Sequence, residues 1–284
     1  MKGIIQMLYL QFMNNNISKY IFLLGILLVC SCSKFEKIRN SDDADKKLDA
    51  AYKYFEEKEY YKAQVLFDET LPLLKGKESA EKATFYRALS YYNQKQYILS
   101  AYYFKDYYDT YTRNERAEEA LYMAAKSLFN DTPRYNLDQS NAIDALKAFQ
   151  KFANRYPNSS RLTEVNKLTD ELNKKLEKKA FEKAKLYYEL GFNNNINFKS
   201  AVIALETFRK QFPSSSFIEE ASWLKIDAQY QLALGSIVTK QEERYLEAIN
   251  FYENFVDEFP SSKYLKEAEV VYKKCLSNIE KIRS

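Results

Sequence analysis

Histidine is absent from all 284 residues, which removes His-based catalytic triads, most catalytic zinc sites and imidazole proton shuttling. Glycine and proline number only 5 each. The glycines beyond residue 31, Gly76, Gly191 and Gly235, stand far apart, so no phosphate-cradling loop of the usual form can be built from them. Charge of one sign is also missing. Setting aside Lys2 and Lys19 near the start, 41 Lys plus Arg face 39 Asp plus Glu, and without a basic field the electrostatic term behind nucleic-acid affinity is lost. Basic runs such as 174–179 are broken by acids and read as solvated helix faces. Paired acids at Glu118-Glu119, Glu219-Glu220 and Glu242-Glu243 suit helix starts or exposed turns, where they favour the macrodipole. Neither an enzyme, a metal, a cofactor nor a nucleic-acid partner is expected.

What is plentiful is aromatic: Tyr 25 and Phe 19. Large side chains with little turn chemistry read as an all-α protein packed helix on helix. Before that fold comes a different kind of segment. Tyr20 to Val29 is an apolar stretch of 10 residues, too short to span a bilayer and suited to the core of a signal peptide. Lys19 supplies its positive flank. Met1 to Phe12 is half apolar and unusual for such a flank, whereas a start at Met13 would be ordinary.

Directly after the apolar run, Val29-Cys30-Ser31-Cys32 resembles a bacterial lipobox. Cys32 fits the acylated position better than Cys30, because Cys30 would put bulky Val29 where the peptidase needs a small residue. Residues 1–31 are therefore expected to be removed, Cys32 to carry the acyl chains, and 32–44, polar and charged, to act as a tether. Several chains on one residue hold a domain firmly to a membrane, at roughly 0.8 kcal/mol per buried methylene. Ser33-Lys34 carries no acid of the kind that retains lipoproteins at the inner membrane, which points to the outer one. Cys275 alone then remains, so no internal disulfide can form.

Three segment ends repeat: Phe152 to Ser159 with Tyr156-Pro157, Phe208 to Ser215 with Phe212-Pro213, and Phe255 to Ser262 with Phe259-Pro260. Each is the buried stripe of a helix meeting its stop, with a serine placed to cap the next helix. Twelve residues before each proline stands a small residue (Ala145, Ala201, Ala248), and eight before it a large one (Phe149, Leu205, Tyr252). That is the second-helix pattern of a tetratricopeptide repeat. The frame fits twice more, with Ser100 and Phe104 before Thr112 and Ala63 and Phe67 before Lys75; Ala51 with Tyr54 and Ala88 with Tyr91 match the first helices. Ends at 75, 112, 157, 213 and 260 lie 37, 45, 56 and 47 residues apart, against about 34 for the ideal unit. The extra residues are expected in polar insertions at 130–141, 192–197 and 235–244. Residues 161–191 read as one long first helix or two with a bend, and 262–282 as the closing helix a solenoid needs.

A lipobox, some 250 residues after it, five repeats, the Tyr-Pro-Asn-Ser end at 156–159 and an insertion bearing Asp138-Gln139 together resemble the BamD family, the lipoproteins of the β-barrel assembly machinery. The resemblance implies a non-enzymatic scaffold at the periplasmic face of the outer membrane. Its C-terminal repeats would dock on the POTRA domains of a BamA-like barrel protein, and its N-terminal repeats would engage unfolded outer-membrane protein precursors. Residues 45–115 are accordingly assigned to substrate binding and 116–284 to docking. By repeat geometry the groove is lined from first helices, which nominates Tyr52, Phe55, Phe85, Leu89, Tyr92 and Asn93; the apolar ones could equally pack between repeats. A SusD-like glycan-binding lipoprotein is the alternative, against which stand its greater length and the single Trp223 here; another envelope tetratricopeptide scaffold would share the fold.

Overall fold

A computed structural model describes residues 34–284; the segment read as a signal peptide, the alternative start at Met13 and the expected acylation site Cys32 lie outside them. The described chain is all-α. After a helical stretch at 34–39 come α1 (Ala44–Glu56), α2 (Tyr60–Thr70) with a 3-10 turn (Leu71–Leu74), α3 (Ser79–Asn93), α4 (Tyr97–Thr110), α5 (Ala117–Asn130), α6 (Ser140–Arg155), α7 (Leu162–Gly191), α8 (Ile196–Gln211), α9 (Ile218–Leu234), α10 (Val238–Glu258) and α11 (Leu265–Arg283). Pairs α1/α2 through α9/α10 form five hairpins of the tetratricopeptide solenoid type, and α11 closes the series.

The repeat frame is visible in the backbone. At every hairpin end the same turn recurs: Lys77 N donates to Leu74 O, Asn114 N to Tyr111 O, Ser159 N to Tyr156 O, Ser215 N to Phe212 O and Ser262 N to Phe259 O, at 2.9 to 3.1 Å. The acceptors fall one residue before the five ends read from the sequence. Proline follows three of these acceptors, Tyr156, Phe212 and Phe259. Phe212 and Phe259, each preceding a proline, leave the helix at φ −128°, ψ 65° and φ −130°, ψ 64°, because a following proline ring crowds the α conformation.

Serine then ties the turn to its own hairpin. Ser159 Oγ donates to Glu118 at 2.6 Å, Ser262 Oγ to Glu219 at 2.5 Å, and Ser215 Oγ to Glu177. The same hydroxyls accept from Arg161 N at 3.1 Å, Phe217 N at 3.0 Å and Tyr264 N at 3.0 Å, satisfying donors at the start of the following helix. Glu118 and Glu219 stand four residues past their turns, at Asn114 and Ser215, whereas Glu177 stands 18 past Ser159. The 14 extra residues of the 30-residue α7 make nearly four turns at about 3.6 residues each, so the packed face stays in register. An unbroken helix is thus how the 161–191 pattern resolves, and it accounts for most of the longest repeat spacing.

The chain divides into two compact units, residues 34–132 with 143–162, and 133–142 with 163–284. In the first, Ala51, Ala63, Leu66, Phe67 and Ala83 are buried together with Phe35. Phe35 is 6% exposed and meets Tyr54 edge-on at 5.7 Å, so the stretch read as tether is folded from residue 34 onward. In the second, one core gathers Phe181, Ala201, Leu205, Phe208 and Ala221, and another gathers Ile226, Tyr245, Ala248, Phe255 and Ala268. The small positions Ala63, Ser100, Ala145, Ala201 and Ala248 all lie within 1% of full burial, because only a side chain this short lets neighbouring helices close to 8–10 Å.

Insertions differ in kind. Residues 131–139 form a non-helical loop, gathered around Gln139, whose Nε2 donates to Arg134 O at 2.8 Å and Leu137 O at 3.2 Å. Lys179 of α7 donates to Leu137 O at 2.6 Å. The polar 235–244 insertion is of another kind, helical from Val238. Its charged residues lengthen α10 to 21 residues, so the extra length is taken up as helix. Among the described residues no helix is long and apolar enough to cross a membrane.

Candidate protein-binding surfaces

Consecutive aromatics in the first unit sort by which helix covers them. Tyr61 and Tyr102 are 64% and 62% exposed, as expected where two adjacent side chains point to different faces. Tyr107 and Tyr108 depart from that rule and are both buried. Packing of α4 against both α3 and α5 leaves it two covered faces.

A partly open aromatic cluster forms where the first helices α1 and α3 meet. Tyr52 packs edge-on to Phe67 and Tyr86, each at 5.2 Å, and Phe55 to Tyr86 at 4.9 Å and Tyr60 at 5.4 Å. Lys82 lies 4.6 Å over the Tyr52 ring and 5.6 Å over Tyr86. Desolvation raises the Tyr52 hydroxyl above the usual phenol range. Of the other nominated residues, Leu89 is half-buried and Asn93 exposed, its Nδ2 donating to Leu89 O at 3.0 Å. Tyr92 is half-buried, accepting from Asn130 Nδ2 at 2.9 Å. Phe85 is core: 4% exposed, against Phe104 at 5.5 Å and Tyr107 at 5.2 Å, it offers a partner no surface. Tyr86 joins the cluster instead. Its signal was the Phe85-Tyr86 doublet, of which only one member can face the core.

The second unit holds a cleft of about 1000 Å³ between α8 and α10, lined by Val202, Ile203, Lys225, Phe251, Asn250 and Asn254. Lys225 forms its floor. The ammonium bonds Glu206 at 2.8 Å and lies 3.9 Å over the Phe251 ring. Burial lowers Lys225 from the ordinary lysine range, while the Lys225 hydrogen bond holds Glu206 below the ordinary glutamate range. The first unit carries the same device: Arg87 lies 3.9 Å over the Tyr103 ring and 4.0 Å from Asp68. Repeat positions agree, since Arg87 and Lys225 each stand ten past their turn residues, Lys77 and Ser215. In both places a cation clamped between an acid of one hairpin and a ring of the next joins neighbours.

Trp223 stacks on Tyr264 at 6.3 Å and 14°, so its ring is engaged in packing. Among the described residues no group of three or more His, Cys, Asp or Glu could hold a metal ion. Cys275 is buried, its thiol pushed up to about 12 by desolvation.

Comparison with known proteins adds identity to this geometry. No curated protein matches the chain. One solved structure similar to it, a candidate protein-binding protein from Bacteroides ovatus ATCC 8483, shares 17% identity over 85% of this chain and 100% of that one, with a TM-score of 0.25. A sequence model for YfiO, described as an outer membrane lipoprotein, matches residues 41–195 and again 191–278. The two matches take in all five hairpins, and the chain belongs to the YfiO family of outer-membrane lipoproteins.

Proposed function

We propose that this protein is an anchored, non-enzymatic adaptor of outer-membrane protein assembly, working at the periplasmic face of the outer membrane. The observation that carries the reading is the family match across 41–278. Acylation of Cys32, after removal of 1–31, supplies the anchor. The Tyr52, Phe55 and Tyr86 cluster engages unfolded outer-membrane protein precursors, because rigid aromatic rings give contact area at low entropic cost. Leu89, Tyr92 and Asn93 extend that surface along α3. The later repeats dock on the POTRA domains of a BamA-like barrel protein, with the α8/α10 cleft offering amides and charges for a defined interface. Affinity purification of the tagged full-length protein from detergent-solubilised outer membranes tests this. Recovery of a BamA-like barrel protein in stoichiometric amount is the expected result; recovery of a glycan transporter instead would overturn it.

A further inference from the structure

The anchor and the fold lie close together in sequence. Phe35 is 6% exposed and packed on Tyr54, so the chain is fixed to the first unit from that residue. Cys32 is only three residues upstream, and three extended residues span at most roughly 11 Å. Acyl chains on Cys32 would therefore hold this end of the first unit against the lipid headgroups, with no long leash between them.

At that end lies a pocket of about 330 Å³ whose lining includes Lys34, Lys53, Lys62, Glu57, Glu59 and Tyr54. Its size is at the small end for ligand sites. Both signs of charge line it. Lys53 stands 4.0 Å from Glu57 and Lys62 3.4 Å from Glu59, and the Lys62 ammonium is 5.4 Å from the Tyr54 ring centroid. A lone anion would meet two carboxylates here, and a lone cation three ammonium groups. A small zwitterion matches both sets.

We infer that this pocket receives the phosphoethanolamine headgroup of a phospholipid in the leaflet that holds the acyl chains, an inference that rests on acylation of Cys32. The phosphate is taken by the lysines, Lys34 foremost since it adjoins the anchor, and the primary ammonium by the Glu57 and Glu59 carboxylates. A trimethylated ammonium carries no N–H to donate to the carboxylates, so choline lipids fit less well. The protein is thereby oriented on the membrane as well as tethered to it.

The test uses the full-length protein with a photoreactive phenylalanine analogue at Tyr54, reconstituted in vesicles of equal phosphatidylethanolamine and phosphatidylcholine. Intact mass reports acylation, and mass spectrometry after illumination identifies bound lipid. Phosphatidylethanolamine adducts in several-fold excess, lost when Glu57→Lys and Glu59→Lys are added, are the expected result. Equal labelling of both lipids, or none from an acylated protein, overturns the pocket and leaves the anchor standing. An unacylated Cys32 overturns the anchor and this inference with it.

Discussion

Ser159 and Glu118 are 41 residues apart in sequence and joined by a 2.6 Å hydrogen bond that ties the end of the third hairpin to its own first helix. Ser159 also accepts from Arg161 N, so one hydroxyl serves a latch and a helix start together. Ser159→Ala removes a charged hydrogen bond and a cap, both only partly buried, and should cost about 1–2 kcal/mol in denaturant unfolding. A loss indistinguishable from zero would show that the latch is decorative.

Close helix approach at Ala248 gives a second expectation. The residue is 1% exposed among Tyr245, Phe255 and Ala268. Ala248→Leu should destabilise by roughly 1–3 kcal/mol, since added methylenes force rotamer or backbone strain in a filled core. Circular dichroism of the unfolding transition reads this directly, and an unchanged midpoint would contradict the assignment of a close-approach position.

The Lys225 and Glu206 pair should respond asymmetrically. Lys225 is 7% exposed at its side chain and Glu206 is 38% exposed. Glu206→Gln leaves a buried ammonium without its counter-ion and should cost about 1–2 kcal/mol, discounted for the exposed partner, whereas Lys225→Met leaves a carboxylate that water can reach and should cost less. Because Glu206 is held below its ordinary range, its contribution is present above that range and lost as pH falls through the depressed folded value. The stability difference between the parent and Glu206→Gln should therefore be full above that range and shrink as pH falls through it. Equal losses from both substitutions would refute the clamp.

Cys275 should be inert while the protein is folded. Its thiol is buried and pushed up to about 12, so little thiolate exists near neutral pH. Iodoacetamide at pH 8 should label it only after denaturant is added; rapid labelling of the native protein would mean that α11 opens readily.

Much of the fold was legible because the repeat signals are short-range. Proline after an aromatic, alanine twelve residues earlier and serine two residues later recur at three helix ends, and the turns at Tyr156, Phe212 and Phe259 fall where those residues place them. Longer-range features were harder to read. Polarity at 235–244 locates the extra residues but not their conformation, since a solvated helix face and a loop share a composition; they extend α10 from Val238. Phe35 looked like part of a polar tether because its partner, Tyr54, lies 19 residues on. Phe85 and Tyr86 could exchange roles in a periodic reading, and only the packing of α3 on α4 turns Phe85 inward. The compact first unit also runs to residue 162, so a binding fragment cut at 115 would divide it, and tests of substrate binding belong on the full chain.

The most direct measurement concerns that aromatic cluster. Binding of a peptide ending in the aromatic C-terminal signal of β-barrel precursors should be compared between the full-length protein and a Tyr52→Ala, Tyr86→Ala variant, with co-purification of the BamA-like barrel protein followed in parallel. The account predicts that the variant stays folded, loses most peptide affinity and keeps the barrel partner. Unchanged peptide binding, or loss of the barrel partner from a folded variant, would contradict it.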